Sequence, residues 1–385
     1  MINSGSDGIE HRKVFWTAAT WINSLDPLRG TAALAVVIHH ACQAWGAGRD
    51  VGTPPEMFVQ WLGAWGVALF FVLSGFCIHL PQARAGLSGK TGVDWSRFAR
   101  RRAKRLLPTH YTALILSTVV AGYISTGLLN PATPGSFLAH VFMVHVWYGP
   151  YFASINGVFW SIAVEVHFYM CYPIYLYLRR SLGSSSTVLI LCAAGLTVYF
   201  FASLLPDGPG RLVMQHVFLV TWWQWALGAA IADLYVAGQA GEWMRIFTGV
   251  WMPAAWIVLS LVVGLWDPNP GGLHVRFWIL PVCCAGILGS LVTRSTRPIP
   301  FLSYAGNFSY SIYLVHPIVF ALLFKLTRVR TLPAVYGVPL CFAGAVAGSW
   351  VFFQSVEKHF LHRSGSLVDW RPDKMSADAF EARGA

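Results

Sequence analysis

Long apolar runs separated by short polar stretches set the pattern of this chain. A helix needs about 20 mostly apolar residues to cross the hydrocarbon core of a bilayer. Ten runs approach that length, at roughly 27–46, 61–80, 107–127, 157–178, 187–205, 214–236, 247–266, 274–293, 303–323 and 333–353. The pattern predicts an all-α, polytopic integral membrane bundle of about ten transmembrane helices. A further apolar stretch, 137–150, is short and ends at Gly149-Pro150, so it reads as a re-entrant or interfacial segment. No internal repeat is evident, which argues against a transporter built from inverted halves. Three regions follow: a cytoplasmic or interfacial segment (1–24), a transmembrane domain (25–353) and a polar cytoplasmic tail (354–385). The stretch 11–21 is basic and aromatic and suits either the membrane interface or an unstructured tail. The first apolar run follows about 25 mixed residues and has spanning length, so no cleavable signal peptide is expected.

Composition sharpens this picture. Hydrophobic residues make up 56% of the 385-residue chain and charged residues 11%, where a soluble globular chain carries about 25%. That excludes a disordered chain, a coiled coil and an ordinary cytosolic enzyme. The seven cysteines lie in or beside apolar runs, without zinc-like spacing, and read as small apolar filler. The net charge of +11 points to positive-inside bias rather than to nucleic acid. With ten spans and a cytoplasmic N-terminus, the cytoplasmic side takes most of the 27 Lys and Arg. Only Arg49, Arg211, Arg276, Lys325, Arg328 and Arg330 fall opposite. An eleventh span at 137–150 would put the Arg179-Arg180 pair on the wrong side.

Ionisable groups inside spans are costly and usually functional. Here they are Arg29, His39, His40, Glu165, His167, Asp233 and His316. His79, His110 and His216 fall at span ends, where water is expected, and Asp233 is expected to be solvated at a helix end. The first span opens Leu25-Asp26-Pro27-Leu28-Arg29, with Asp26 as a candidate N-cap. Arg29 and His40 are eleven residues apart. At about 100° per residue they lie within about 20° of one face, about 16 Å apart along the axis. His39 points about 80° away. Ser161, Glu165 and Tyr169 share a face at i, i+4 spacing, as do Ser309, Tyr313 and His316. Each group reads equally as structural polar packing. Arg101, Arg102, Lys104 and Arg105 precede the third span, with Arg102 and Arg105 on one face. They suit topology and anionic lipid, or a multiply phosphorylated ligand. Trp147, Tyr148, Tyr151 and Trp160 suit interface anchoring or stacking on a sugar.

Four segments taken together resemble the acyltransferase 3 family of bacterial membrane O-acyltransferases. They are Leu25-Asp26-Pro27-Leu28-Arg29-Gly30 leading to His40; Gly66 through Phe70-Phe71 to Ser74-Gly75-Phe76; Phe159-Trp160-Ser161 through Glu165 to Phe168-Tyr169 and Pro173; and Ser309-Tyr310 through Tyr313 to His316-Pro317. The resemblance covers about 25–353. It implies a catalytic His at His40, following Arg29 in an Arg-X10-His motif. It also implies an Arg-X2-Arg motif at Arg102 and Arg105, for which Arg97 and Arg100 offer the same spacing. The family's Trp-Ser-X-X-X-Glu segment falls on Trp160, Ser161 and Glu165. Where the family often has two Glu, this chain has Glu165-Val166-His167. The resemblance further implies an acyl group, usually acetyl, taken from cytoplasmic acyl-CoA at a bacterial inner (plasma) membrane. The acceptor is a hydroxyl of a carbohydrate, a lipid-linked sugar or another envelope or secreted molecule. The long members' C-terminal SGNH-type domain is not seen here, so acceptors that need it are not expected.

A mechanism joins the two readings. Arg102, Arg105 and Arg29 hold the donor's phosphates, and the thioester reaches His40 near the midplane. His40 acts as general base on the acceptor hydroxyl, oriented by Asp26, Glu165 or Ser161; an acyl-imidazole route stays open. Trp160, Tyr313 and His316 join the substrate-binding or orienting set, and no metal is required. Two other classes compete: a proton-coupled transporter using buried His and Glu, and a membrane scaffold that has lost the chemistry.

Overall fold

The computed structural model describes residues 22, 24–46, 53–87, 89, 92–238, 249–266, 275–294 and 299–363. The 11–21 stretch and the tail beyond 363 lie outside the described residues. In chain order the helices are α1 (Leu25–Ala44), α2 (Pro54–Leu87), α3 (Trp95–Tyr123), α4 (Pro134–Val141), α5 (Gly149–Phe152), α6 (Phe159–Leu182), α7 (Ser184–Ser203), α8 (Pro209–His216), α9 (Phe218–Val236), α10 (Met252–Leu265), α11 (Val275–Val292), α12 (Pro300–Asn307), α13 (Ser309–Leu326), α14 (Ala334–Phe352) and α15 (Lys358–Arg363). Each apolar run of the sequence overlaps one of these helices. Five stretches are long and apolar enough to cross a membrane: Pro55–Leu87, Ser184–Ser203, Pro209–Val236, Ser309–Leu326 and Ala334–Leu361. The protein is a helical membrane protein. Helices α1, α3 and α6 are not among the five; they carry Arg29, His40, Arg102, Arg105 and Glu165.

The 137–150 stretch forms no continuous helix. Its ends are joined by a two-residue antiparallel ladder, in which β1 (Leu129–Asn130) faces β2 (Ile155–Asn156) with Leu129 opposite Asn156. The chain between therefore leaves and returns at one place. The short α4 begins in a capping box of Thr133 and Ser136. Asn156 anchors the return. Its buried amide donates to Ser117 Oγ (3.0 Å) on α3 and to the Leu314 carbonyl (3.1 Å) on α13.

Backbone contact at glycines sets two crossings. A Cβ on Gly75 of α2 would lie 1.8 Å from the Trp225 carbonyl oxygen of α9, and one on Gly228 of α9 would lie 1.8 Å from the Val72 carbonyl oxygen of α2. Only glycine at both positions lets these backbones touch. Gly30 of α1 and Gly306 of α12 form a similar pair, against the carbonyls of Leu302 and Asp26. Around the first crossing lies an aromatic core of Phe71, Phe168, Tyr172, Tyr175 and Trp225, all buried.

Buried polar groups tie other helices together. His79 on α2 is fully buried between the Tyr172 hydroxyl (Nδ1, 2.9 Å) and Asp233 (Nε2, 2.9 Å). Asp233 also accepts from Arg179 (2.7 and 2.6 Å) and from the Ser184 hydroxyl (2.6 Å). The expected solvation of Asp233 and His79 at helix ends is therefore corrected: partners from α6 and α7 satisfy them. His110 is buried as well, against the ring of Phe159. The reason is shared. Helices α2 and α3 run well beyond their apolar stretches, with 34 and 29 residues, so these positions lie inside the bundle. Past α14 the chain makes a π-helical turn, Phe353–Glu357. That turn carries Glu357 inward, where its carboxylate accepts from the Ser311 amide (3.1 Å) and hydroxyl and so caps α13.

Candidate functional site

Two cavities meet inside the bundle. The first, about 120 Å³, holds the arginines: Arg29 from α1, Arg102 and Arg105 from α3, with Ser74 and Cys77 from α2 and Ser161, Glu165 and Tyr169 from α6. The second, about 220 Å³, holds the histidines: His39 and His40 from α1 and His216 from α8, with Trp160 from α6 and Thr221 and Gln224 from α9. Val67, Phe71 and Tyr313 line both cavities and form their common wall.

In the arginine cavity, Arg29 donates to Asp26 Oδ1 (2.9 Å) and to Cys77 Sγ (3.0 Å). Asp26 is not the N-cap of α1. Ser24 holds that position without a side-chain cap, and Asp26 lies within the first turn, where its carboxylate pairs with Arg29 one turn later. Glu165 accepts from Ser74 Oγ (2.6 Å) and from the Tyr169 hydroxyl through the same oxygen. It is thus held by α2 and by its own helix, away from His40. Ser161 Oγ and the Tyr313 hydroxyl lie 2.6 Å apart. Among the described residues Arg102 and Arg105 make no ion pair, and Arg102 Nε is buried without a hydrogen-bond partner. A buried guanidinium N–H without an acceptor is costly, and the carboxylate that shares this cavity, Glu165, bonds Ser74 and Tyr169 instead. Of the two Arg-X2-Arg spacings, 102/105 lines the cavity, whereas Arg97 is 69% exposed and pairs with Asp94 at the start of α3.

In the histidine cavity the hydrogen bonds fix tautomers. His316 on α13 is fully buried, and its Nδ1 lies 3.0 Å from the Ile312 carbonyl oxygen. A carbonyl only accepts, so Nδ1 carries the proton and Nε2 of the neutral ring is an acceptor. That Nε2 lies 3.0 Å from His40 Nδ1, so His40 donates from Nδ1. His40 Nε2 then keeps its lone pair. The sequence offered Asp26, Glu165 and Ser161 as orienting partners for His40; the structure instead places His316 there and the other three in the arginine cavity or its wall. His39 does not point away from the site. Its ring centroid is 4.8 Å from that of His40, and its Nδ1 donates to the Val59 carbonyl (2.6 Å). The helical wheel separates the Cβ atoms, but a cavity this wide takes both rings. His40 lies in the last turn and a half of α1, which ends at Ala44.

The sequence marks Ser74 only as part of a motif and does not single out Cys77, Thr221 or Gln224. Gln224 carried a signal, as a primary amide inside the run Trp222-Trp223-Gln224-Trp225, but only ionisable groups were weighed there. His216 was expected in water and instead lies in the cavity wall against Trp160, with ring centroids 5.2 Å apart. His167 accepts from Trp147 Nε1 (2.9 Å) and lines neither cavity.

Comparison with known proteins agrees with this architecture. The chain is 31% identical over 181 residues to the acyltransferase MdmB of Streptomyces mycarofaciens, covering 45% of this chain and 43% of that protein. It is 27% identical over 169 residues to the peptidoglycan O-acetyltransferase OatA of Listeria monocytogenes, covering 40% and 24%. It is 26% identical over 323 residues to nodulation protein 10 of Rhizobium leguminosarum bv. viciae, covering 77% and 82%. The match thus spans less than half the length of MdmB and of OatA. No solved structure matches the chain. The acyltransferase domain family matches residues 22–354, a span that takes in every helix lining the two cavities, and the chain belongs to this acyltransferase 3 family.

Proposed function

We propose that this protein is a membrane O-acyltransferase of the bacterial inner membrane, with ten spans and both termini in the cytoplasm. It moves an acyl group, acetyl in particular, from cytoplasmic acyl-CoA to a hydroxyl of a carbohydrate, glycolipid or other envelope or secreted acceptor. The observation that carries this reading is the pair of cavities with one common wall. One side offers the guanidinium groups of Arg102 and Arg105, which make no ion pair among the described residues, and the other offers a histidine whose Nδ1 is engaged by His316.

The arginine cavity opens to the cytoplasm. Arg102 and Arg105, with Arg29, hold the donor's phosphates by charge-assisted hydrogen bonds. Glu165 is a positioning residue: it fixes Ser74 and Tyr169 and counters part of the arginine charge. At the wall, His40 Nε2 takes the proton of the acceptor hydroxyl. The acceptor oxygen forms a C–O bond to the acyl carbon, the C–S bond breaks, and the imidazolium returns its proton to the leaving thiolate. His316 keeps His40 in the competent tautomer, as a carboxylate does in the Ser-His-Asp arrangement. Tyr313 and Ser161, bonded to one another, stand where the acyl group must pass.

The test uses membrane vesicles containing the protein, an extract of envelope acceptors and radiolabelled acetyl-CoA. Label transfer is compared for the parent and His40→Ala at equal expression. Transfer by the parent that falls at least a hundredfold in His40→Ala supports the reading. Equal transfer by the two refutes the role of His40, and no donor consumption by the parent refutes the reaction class.

A further inference from the structure

We propose that Gln224 and His216 are the specificity-determining contacts of the histidine cavity, and that this cavity takes a neutral, polyhydroxylated ring in preference to an anionic or ammonium-bearing one. The inference rests on the acyl-transfer reading above and names what that reading leaves open, the chemistry by which the acceptor is held.

Charge is divided between the cavities. Arg29, Arg102, Arg105 and Glu165 all line the arginine cavity, and the only ionisable side chains besides Tyr313 that line the other are imidazoles. A phosphate or carboxylate on the acceptor would meet no guanidinium there, and an ammonium group would meet no carboxylate. Burying either without a partner is costly.

The imidazoles share one state. His39 Nδ1 lies 2.6 Å from the Val59 carbonyl, His216 Nδ1 lies 2.9 Å from the Leu212 carbonyl, and His40 Nδ1 lies 3.0 Å from His316 Nε2. Each therefore keeps its proton on Nδ1, and each neutral ring presents Nε2 as a bare acceptor. Three acceptors around one cavity call for several O–H donors on one ligand. One of them, at His40, is the hydroxyl that reacts.

Gln224 supplies the complementary group. It is 3% exposed, it lines the cavity, and nothing hydrogen-bonds its amide among the described residues. Its amide atoms are not among those sealed in protein without a partner, so they are reachable from the cavity that Gln224 lines. Its NH2 donates and its carbonyl accepts, which suits the paired oxygens of adjacent hydroxyls. Trp160, stacked on Phe152 and held edge-on by His216, adds a rigid aromatic edge to the cavity wall. The volume of about 220 Å³ is many times the roughly 10–15 Å³ that one water needs, enough for a single ring. An aliphatic alcohol would fill the space and leave Gln224 and two imidazole nitrogens unpaired.

The test uses the full-length protein in nanodiscs with acetyl-CoA and four acceptor probes: methyl glucoside, glucosamine, glucose 6-phosphate and 1-hexanol. Methyl glucoside is expected to give the highest kcat/KM, at least tenfold above each of the others. Gln224→Leu should raise the KM for methyl glucoside about tenfold, the size of one lost hydrogen bond, while the KM for acetyl-CoA stays within twofold. Gln224→Glu should shift the preference toward glucosamine, a change that a merely structural role would not produce. Higher kcat/KM for the phosphate, amine or aliphatic probe in the parent overturns this inference and leaves acyl transfer standing. So does an acceptor KM within twofold of the parent in Gln224→Leu. Acetyl-CoA consumption with transfer to no polyol overturns the inference alone, and no consumption at all overturns acyl transfer with it.

Discussion

Replacing His316 tests the tautomer relay directly. Its Nε2 is 3.0 Å from His40 Nδ1, and the ring is fully buried. His316→Leu keeps similar volume and removes the acceptor. A buried N–H left without a partner costs about 1–3 kcal/mol. At about 1.36 kcal/mol per decade, that is a loss of roughly 5- to 160-fold in acyl transfer. Removing the base itself, in His40→Ala, should cost about 10²–10⁴. His316→Gln retains an oxygen that can accept from Nδ1 and should lose less than His316→Leu. The assay is transfer of radiolabelled acetyl in vesicles at equal expression, with melting in detergent to check the fold. A His316→Leu protein that melts like the parent and transfers within twofold of it would show that His316 does not govern His40.

Three further outcomes are expected. Arg102→Ala and Arg105→Ala should each raise the KM for acetyl-CoA about ten- to a hundredfold, as loss of a charge-assisted hydrogen bond does. Arg97→Ala, whose side chain pairs with Asp94 at the surface, should leave that KM unchanged; initial-rate kinetics separate the two Arg-X2-Arg pairs. Asp233→Ala strips the partner from His79, Arg179 and Ser184 together and should destabilise the fold by about 3–5 kcal/mol, read as a lower melting temperature that donor saturation does not restore. Burial holds the His140 imidazole, outside the spans, down at about 4, and its neighbour His145 below its ordinary value. The rings stack with centroids 3.7 Å apart. The neutral form is the folded one, so this stability is full above the unfolded value near 6.5 and is lost as pH falls toward 4. It amounts to about 3 kcal/mol for His140. Hydrogen exchange of 134–156 should accelerate over that interval, and less so in His140→Phe.

The helical, apolar character of the chain was legible because a bilayer demands long apolar runs; of the ten runs read as spans, five lie in helices long and apolar enough to cross. The shared stripe of Arg29 and His40 was legible because 3.6-residue periodicity is local. What failed was everything decided by a second helix. Asp233 looked solvent-facing because its partners Arg179 and Ser184 lie about fifty residues earlier in the chain. His40 was given three candidate partners, each plausible by residue type, and only the packing of α13 on α1 picks His316. Gln224 was passed over because the search through the spans was confined to ionisable groups, and an amide costs less to bury than a charge. Gly75 was read as part of a motif, yet its physical reason, contact with the Trp225 carbonyl, belongs to α9.

The separation of 276 residues between His40 and His316 also orders events during synthesis. At about 5–20 residues per second, His316 leaves the ribosome roughly 14–55 s after His40. By the time α13 emerges α1, α2, α3 and α6 are already made, with the arginines, Glu165 and His40 among them. What they lack is α13, which brings the tautomer lock, Tyr313 of the common wall and the capped helix start beneath both. A product that ends before α13 therefore lacks side chains of both cavities and the partner that fixes the His40 ring. The two cavities are completed together, and late in synthesis.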